Sequence, residues 1–138
     1  MLGERCYRFY VVNQLTWPDA KRECRDQGAE LLKVDDQYEQ FFISQYLRLL
    51  QVPTSDGLLT GIWIGANDRA KEGTFVWNAD NTALTYTNWA QNQPNNEAEQ
   101  DCVAMIAQNY FRWDDLNCDR PMRFVCEKPI MIETTLLY

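Results

Sequence analysis

The chain has 138 residues, 46% of them apolar and 24% charged, which fits one globular domain able to hide roughly two thirds of its surface on folding. Its net charge of −7 argues against nucleic acid or an anionic membrane as partner, since both call for clustered Lys and Arg. With no histidine, the commonest zinc ligand and the commonest general base are missing, and no Ser-His-Asp or Cys-His catalytic set can be assembled.

There are five cysteines, Cys6, Cys24, Cys102, Cys118 and Cys126, and none stands in a Cys-x-x-Cys pair. Such spacing suits structural disulfides in an oxidising, extracellular compartment better than zinc or a redox pair, and the odd count leaves one thiol over. No signal peptide or membrane-spanning run is legible, so the chain reads as a mature or excised domain.

In chain order, Tyr7–Val12 is aromatic and β-branched and reads as a strand. Thr16-Trp17-Pro18-Asp19 marks a helix start, with Thr16 as N-cap and Pro18 in the first turn. Trp17, Ala20, Lys21 and Cys24 follow at helical spacing, and Gly28 is the expected stop. Cys24 then lies on the buried face. Glu30–Val34 reads as a short strand, and Asp35-Asp36 open a second helix from Gln37 to about Leu50. Along it Tyr38, Phe41, Phe42, Gln45, Tyr46 and Leu49 recur at three and four and read as its core-facing stripe.

After a loop at 52–57, Gly61–Gly65 reads as a buried central strand. The tract from Ala66 to Asp101 is irregular, with only Thr74–Trp77 strand-like; a tract of that kind in a compact domain is normally functional. Strands are expected at Cys102–Ile106, Tyr110–Trp113 and Met122–Glu127. Residues 1–128 are taken as one domain and 129–138 as a C-terminal linker or tag.

Two segments concentrate side-chain oxygen: Gln93 to Asp101, ending at Cys102, and Trp113-Asp114-Asp115, just before Cys118. A hard cation such as calcium takes roughly six to eight oxygen ligands. Pro94 stiffens the first turn, and a cis bond before it would aim Gln93 and Asn95 the same way. The residues allow two readings, a calcium-held sugar-binding loop or an acidic surface loop stapled by a disulfide.

Taken together, these features resemble a C-type lectin-like domain over Cys6 to about Lys128. The resemblance is carried by Cys6-Tyr7, the Trp17–Cys24 helix, Trp63-Ile64-Gly65, Gln93-Pro94-Asn95, Asp101-Cys102, Trp113-Asp114-Asp115, Cys118 and Phe124-Val125-Cys126. It implies an α+β fold in which two helices flank antiparallel strands and a long loop region bears the ligands. It also implies disulfides Cys24–Cys126 and Cys102–Cys118, worth roughly 4–5 and about 3 kcal/mol in the chain-entropy model. Cys6 is then the orphan, unpaired by truncation or linking to a second chain.

The resemblance further implies a sugar-site calcium held by Gln93, Asn95, Gln100, Asp114 and Asp115. Two positions depart from the family pattern: Gln100 stands where an acid is expected, and Asp114 where an Asn is expected. Glu99, one residue earlier, could turn inward as a further ligand. An auxiliary calcium would draw on Asp68, Glu72, Asn96 and Asp101; alternatively Asp68 and Glu72 merely pair with Arg69 and Lys71 on a solvated turn. Fewer carboxylates mean a weaker site.

Vicinal hydroxyls of a terminal sugar would meet Gln93, Asn95, Asp114 and Asp115, with Tyr110 or Phe111 as candidate stacking aromatics. Gln93 and Asn95 are both amides, so the mannose-type and galactose-type layouts stay equally open.

The leading expectation is therefore a calcium-dependent carbohydrate-recognition domain, extracellular, binding glycans or glycoproteins. The alternative is a protein-binding member that has lost sugar binding, and a third reading is a mineral- or ice-binding surface. Glycoside cleavage by Asp114 and Glu99 is the one enzymatic reading that two carboxylates would permit, and a binding domain explains them better.

Overall fold

The computed structural model describes residues 5–55, 59–95 and 100–130. The elements in order are strand β1 (Arg5–Leu15), helix α1 (Trp17–Asp26), β2 (Glu30–Leu31), helix α2 (Gln37–Leu49), β3 (Gly61–Asn67), β4 (Val76–Trp77), β5 (Cys102–Ile106), β6 (Arg112–Leu116) and β7 (Met122–Pro129). The sheet runs β1-β7-β3-β5-β6, with β2 on β7 and β4 on β3. Its pairs are antiparallel except β3 with β7, which is parallel. The first and last described strands therefore lie side by side, Arg5 opposite Pro129.

β3 is buried along its whole length, and its alternation sorts the core into two layers. Ile62 and Ile64 join Leu32, Ile43, Leu47, Val103, Met105 and Trp113 on the α2 side. Trp63 joins Trp17, Ala20, Cys24, Leu31, Ala104 and Phe124 on the α1 side. Gly65 is needed where β3 passes close to the chain after β2: a Cβ there would lie 3.0 Å from Leu31 O, and its own N–H donates to Leu32 O at 2.8 Å.

The first helix forms as its residues dictate. Thr16 Oγ1 accepts from Asp19 N–H at 3.3 Å, Trp17, Ala20 and Cys24 are buried, and Gly28 follows the C-cap at φ +72°. Cys24–Cys126 and Cys102–Cys118 are bonded, tying α1 to β7 and the lead-out of β6 to β5, while Cys6 is free and exposed.

The second helix corrects the sequence reading. The stripe Tyr38, Phe41, Phe42, Gln45, Tyr46 and Leu49 faces outward, and the buried residues are Glu39, Gln40, Ile43, Ser44 and Leu47. The reason is that the polar residues of that face find partners inside. Gln40 Oε1 accepts from Trp113 Nε1 at 2.9 Å, and its Nε2 donates to Phe111 O at 3.2 Å. Glu39 accepts from Tyr7 Oη at 2.6 Å, Arg5 Nη1 at 2.9 Å and Asp35 N–H at 2.8 Å. A buried polar group costs little once its bonds are made, so counting apolar residues picked the wrong face.

Smaller corrections concern bounds. The strand expected over Glu30–Val34 is only Glu30–Leu31, and β3 runs two residues further, to Asn67. Tyr110 and Phe111 are not in a strand: both take positive φ, 53° and 61°, after a 3-10 turn at Ala107–Asn109, and β6 begins at Arg112. Asp114 and Asp115 thus sit within a strand.

Candidate functional site

Two widely separated stretches meet along the outer edge of β6. Trp113 N–H donates to Asn88 O, and Ala90 N–H donates to Trp113 O, both at 2.8 Å, so residues 88–90 run beside β6 as a parallel bridge. Trp113 is fully buried and stands edge-on to Trp77, Tyr86 and Trp89, with ring centroids 5.7–5.9 Å away. From this anchor the chain turns at Asn92 (φ +67°), a conformation that Asn tolerates. Gln93 N–H then donates to Ala90 O at 3.0 Å, and the Gln93–Pro94 peptide is cis. Asn95 N–H donates to Asp115 Oδ1 at 3.2 Å, which joins the Gln-Pro-Asn triplet to the aspartate pair.

Asp114 and Asp115 lie opposite Ala104 and Val103 of β5; Gln100 sits just before that strand, half-buried like Gln93. Asp115 is fully buried. The Asp114 carboxyl is pushed up to about 6, by burial first and by the neighbouring Asp115 charge second. Gln93 Oε1, Gln100 Oε1 and Asp114 Oδ1 are buried oxygens without a hydrogen-bond donor among the described residues. Leaving such an oxygen unpaired costs about 1–3 kcal/mol. Glu99 and Asn96 lie outside the described residues.

A second cluster flanks the first. The turn after β3 faces the lead-in to β5, with Asn67 paired to Cys102 and Asp68 N–H donating to Asp101 O at 2.9 Å. Asp68 Oδ2 accepts from Gly73 N–H at 2.8 Å, which folds Glu72 back over the turn. Asp68, Glu72 and Asp101 then offer carboxylate oxygens within 4.8 Å of one another. Asp68 Oδ1 is again a buried oxygen without a donor among the described residues. Burial pushes the Asp68 carboxyl up, and Asp68 in turn holds exposed Glu72 at about 7 through a shared hydrogen bond and its charge.

Among the described residues no ion pair joins Asp68 or Glu72 to Arg69 or Lys71; Arg69 instead lies over the Trp17 ring at 5.3 Å. Sequence reasoning missed Asn67, whose Oδ1 accepts from Arg69 N–H at 3.2 Å and whose Nδ2 donates to Gly65 O at 3.2 Å. The legible signal was an Asn at a strand end, an Asx-turn former.

The two aromatics expected beside a sugar lie elsewhere. Phe111 is fully buried in the core. Tyr110 is exposed at the β5–β6 turn, beyond the Ile106–Arg112 pair and so at the opposite end of that hairpin from Asp115. The aromatic that does accompany the triplet is Trp89, four residues before Gln93 and partly buried against Phe75 and Trp113.

A family model described as "Lectin C-type domain" matches residues 13–128. The human protein named "C-type mannose receptor 2" is 34% identical over 131 residues, covering 92% of this chain but only 8% of that protein, so the chain spans a small part of the relative's length. Among solved structures, the carbohydrate-recognition domain of a mouse scavenger receptor C-type lectin aligns with TM-score 0.78 at 28% identity, over 94% of this chain and 92% of the other. A calcium-independent type II antifreeze protein aligns as well, with TM-score 0.77 and 26% identity over 93% and 89% of the two chains.

Proposed function

Because the chain belongs to the C-type lectin domain family and has its fold, we propose that it is a calcium-dependent carbohydrate-recognition domain. Its setting is extracellular, where its two disulfides persist. The observation that carries the reading is the coincidence of unpaired buried oxygens with the two oxygen-rich clusters: Gln93, Gln100 and Asp114 in one, Asp68 in the other. A calcium ion, which takes oxygen ligands only, supplies the positive partner that these atoms lack. Gln93, Asn95, Gln100, Asp114 and Asp115 would hold the sugar-site ion, with Glu99 as a further ligand. Asp68, Glu72, Asp101 and Asn96 would hold the auxiliary ion.

Bound there, a calcium ion would supply a Lewis-acid centre for two vicinal hydroxyls of a terminal sugar. The chain's own residues do the rest. Carboxylates of Asp114 and Asp115 accept from the sugar hydroxyls, and the amides of Gln93 and Asn95 can both donate and accept, since each carries NH2 and carbonyl groups. The backbone bond from Asn95 to Asp115 keeps triplet and pair in register. The acidic side chains serve as ligands and acceptors, so the domain binds glycans or glycoproteins and does not cleave them.

Thermal unfolding with excess calcium and with a chelator tests this. An ion that binds only the folded state adds about 2.7 kcal/mol at a hundredfold excess over Kd, an upward shift of several degrees. No shift at millimolar calcium would leave the second reading, a protein-binding domain that has lost sugar binding. Gln100 in place of an acid and the amide at both ends of the triplet favour that reading, as does the likeness to a calcium-independent structure.

A further inference from the structure

The outward stripe of α2 is an apolar feature that the calcium and sugar reading leaves unused. Tyr38, Phe41, Phe42, Tyr46 and Leu49 are 70, 64, 37, 41 and 76% exposed, at helical spacing on one face. At about 200 Å2 for a whole aromatic side chain, the four rings alone leave roughly 400 Å2 in water. That already matches the largest apolar patch of an ordinary monomer, about 300–600 Å2.

Two of the four rings, Phe42 and Tyr46, are held in place before any partner arrives. Phe42 packs on Tyr7 of β1 at 5.6 Å, Tyr46 on Phe9 at 4.6 Å, and Phe42 stacks on Tyr46 at 6.2 Å. Those two rings have little side-chain freedom left to lose on contact.

We propose that this face is a self-association surface, on which two copies of the chain meet across a two-fold axis with their α2 helices antiparallel. Three properties select a second copy as occupant. The first is charge: every stripe position is uncharged, in a chain whose net charge is −7. Elsewhere two copies repel; here no like charges are opposed along the stripe.

The second is complementarity. Asp36 caps the N-terminus of α2 and exposed Arg48 lies in its last turn, so an antiparallel pair brings the acidic end of each helix toward the basic end of the other. The third is area. The aromatic stripe, Leu49 and the flanking Leu50 supply more than half of the roughly 800 Å2 per partner of a standard interface.

Cys6 is not part of this contact. Strand alternation puts its side chain on the face of β1 opposite Tyr7 and Phe9, and the cleft it lines runs past Tyr7 to Gln27 and Ala29. The test is sedimentation equilibrium of the full chain and of Cys6→Ser, in reductant, over a wide concentration range. A reversible monomer–dimer equilibrium is expected for both. Phe41→Glu and, separately, Tyr38→Glu should weaken it about thirtyfold or more, with melting temperature and calcium response unchanged. A monomer at every concentration overturns the proposal, as does a dimer indifferent to both glutamates or lost with Cys6. A full chain that stays monomeric while a chain ending at Ile130 dimerises also overturns it, since residues 131–138 would then be the occupant.

Discussion

Replacing Asp115 by Asn separates a ligand role from a structural one. The side chain is fully buried, and its Oδ1 accepts from Asn95 N–H; the amide oxygen of Asn can accept the same bond with the same shape. What changes is charge. Asp115 is the second cause, after burial, of the raised Asp114 carboxyl, so without calcium the substitution relieves repulsion and leaves stability unchanged or slightly higher.

With calcium the sign reverses, because one of the two carboxylates in the sugar-site cluster is gone. If Kd weakens about a hundredfold, calcium at a hundred times the original Kd adds about 0.4 kcal/mol instead of about 2.7. At roughly 3–5 °C per kcal/mol for a domain of this size, a calcium shift of about 10 °C shrinks to one or two. Scanning calorimetry of both proteins, in chelator and in calcium, reads all four values. A variant that melts far lower in chelator yet keeps its full calcium shift would refute the ligand assignment and make Asp115 a structural residue.

Two further outcomes are expected. Acidification should release calcium: ion-free Asp114 and Glu72 take up protons near pH 6 and 7, and a ligand must be deprotonated to bind. Calcium titrations at pH 7.5 and 5 should show affinity falling by about tenfold or more; equal affinities would remove these carboxylates from the site. Glu127 gives the opposite dependence in the folded protein. Burial first, then the charges of Glu39 and Asp35, raise its carboxyl from 4.5 to about 7 against the opposing pull of the paired Arg5. The folded state therefore binds the extra proton between those values, and this group's contribution to stability falls as pH rises through that window. Glu127→Gln mimics the protonated acid, so denaturant unfolding should place it higher relative to wild type at pH 7.5 than at pH 5. A constant difference would contradict the raised value.

Local chemistry was legible wherever a residue's own type decided its role. Thr16, Trp17, Pro18 and Gly28 start and stop α1 without outside help, and the unbroken apolar run of β3 could only be a central strand. The pairing of Cys24 with Cys126 and Cys102 with Cys118, like the gathering of Gln93, Asn95, Asp114 and Asp115, came from the order of motifs along the chain, and the fold bears out the disulfides. The residues themselves had left the oxygen-rich stretch open between a calcium loop and a stapled acidic loop.

Other features were decided by partners that no local window contains. Which face of α2 is buried depended on Arg5, Tyr7 and Asp35 reaching Glu39 and on Trp113 reaching Gln40, so Glu39 and Gln40 went inside and four aromatic rings stayed out. Phe111 changed role likewise, because a left-handed turn sends it into the core, and Trp89, to which the sequence assigned no role, is brought beside the triplet by a bridge to Trp113. The unpaired oxygens of Gln93, Gln100, Asp114 and Asp68 belong with them. A side chain's type is written in the sequence, but whether a donor reaches it is set by tertiary packing.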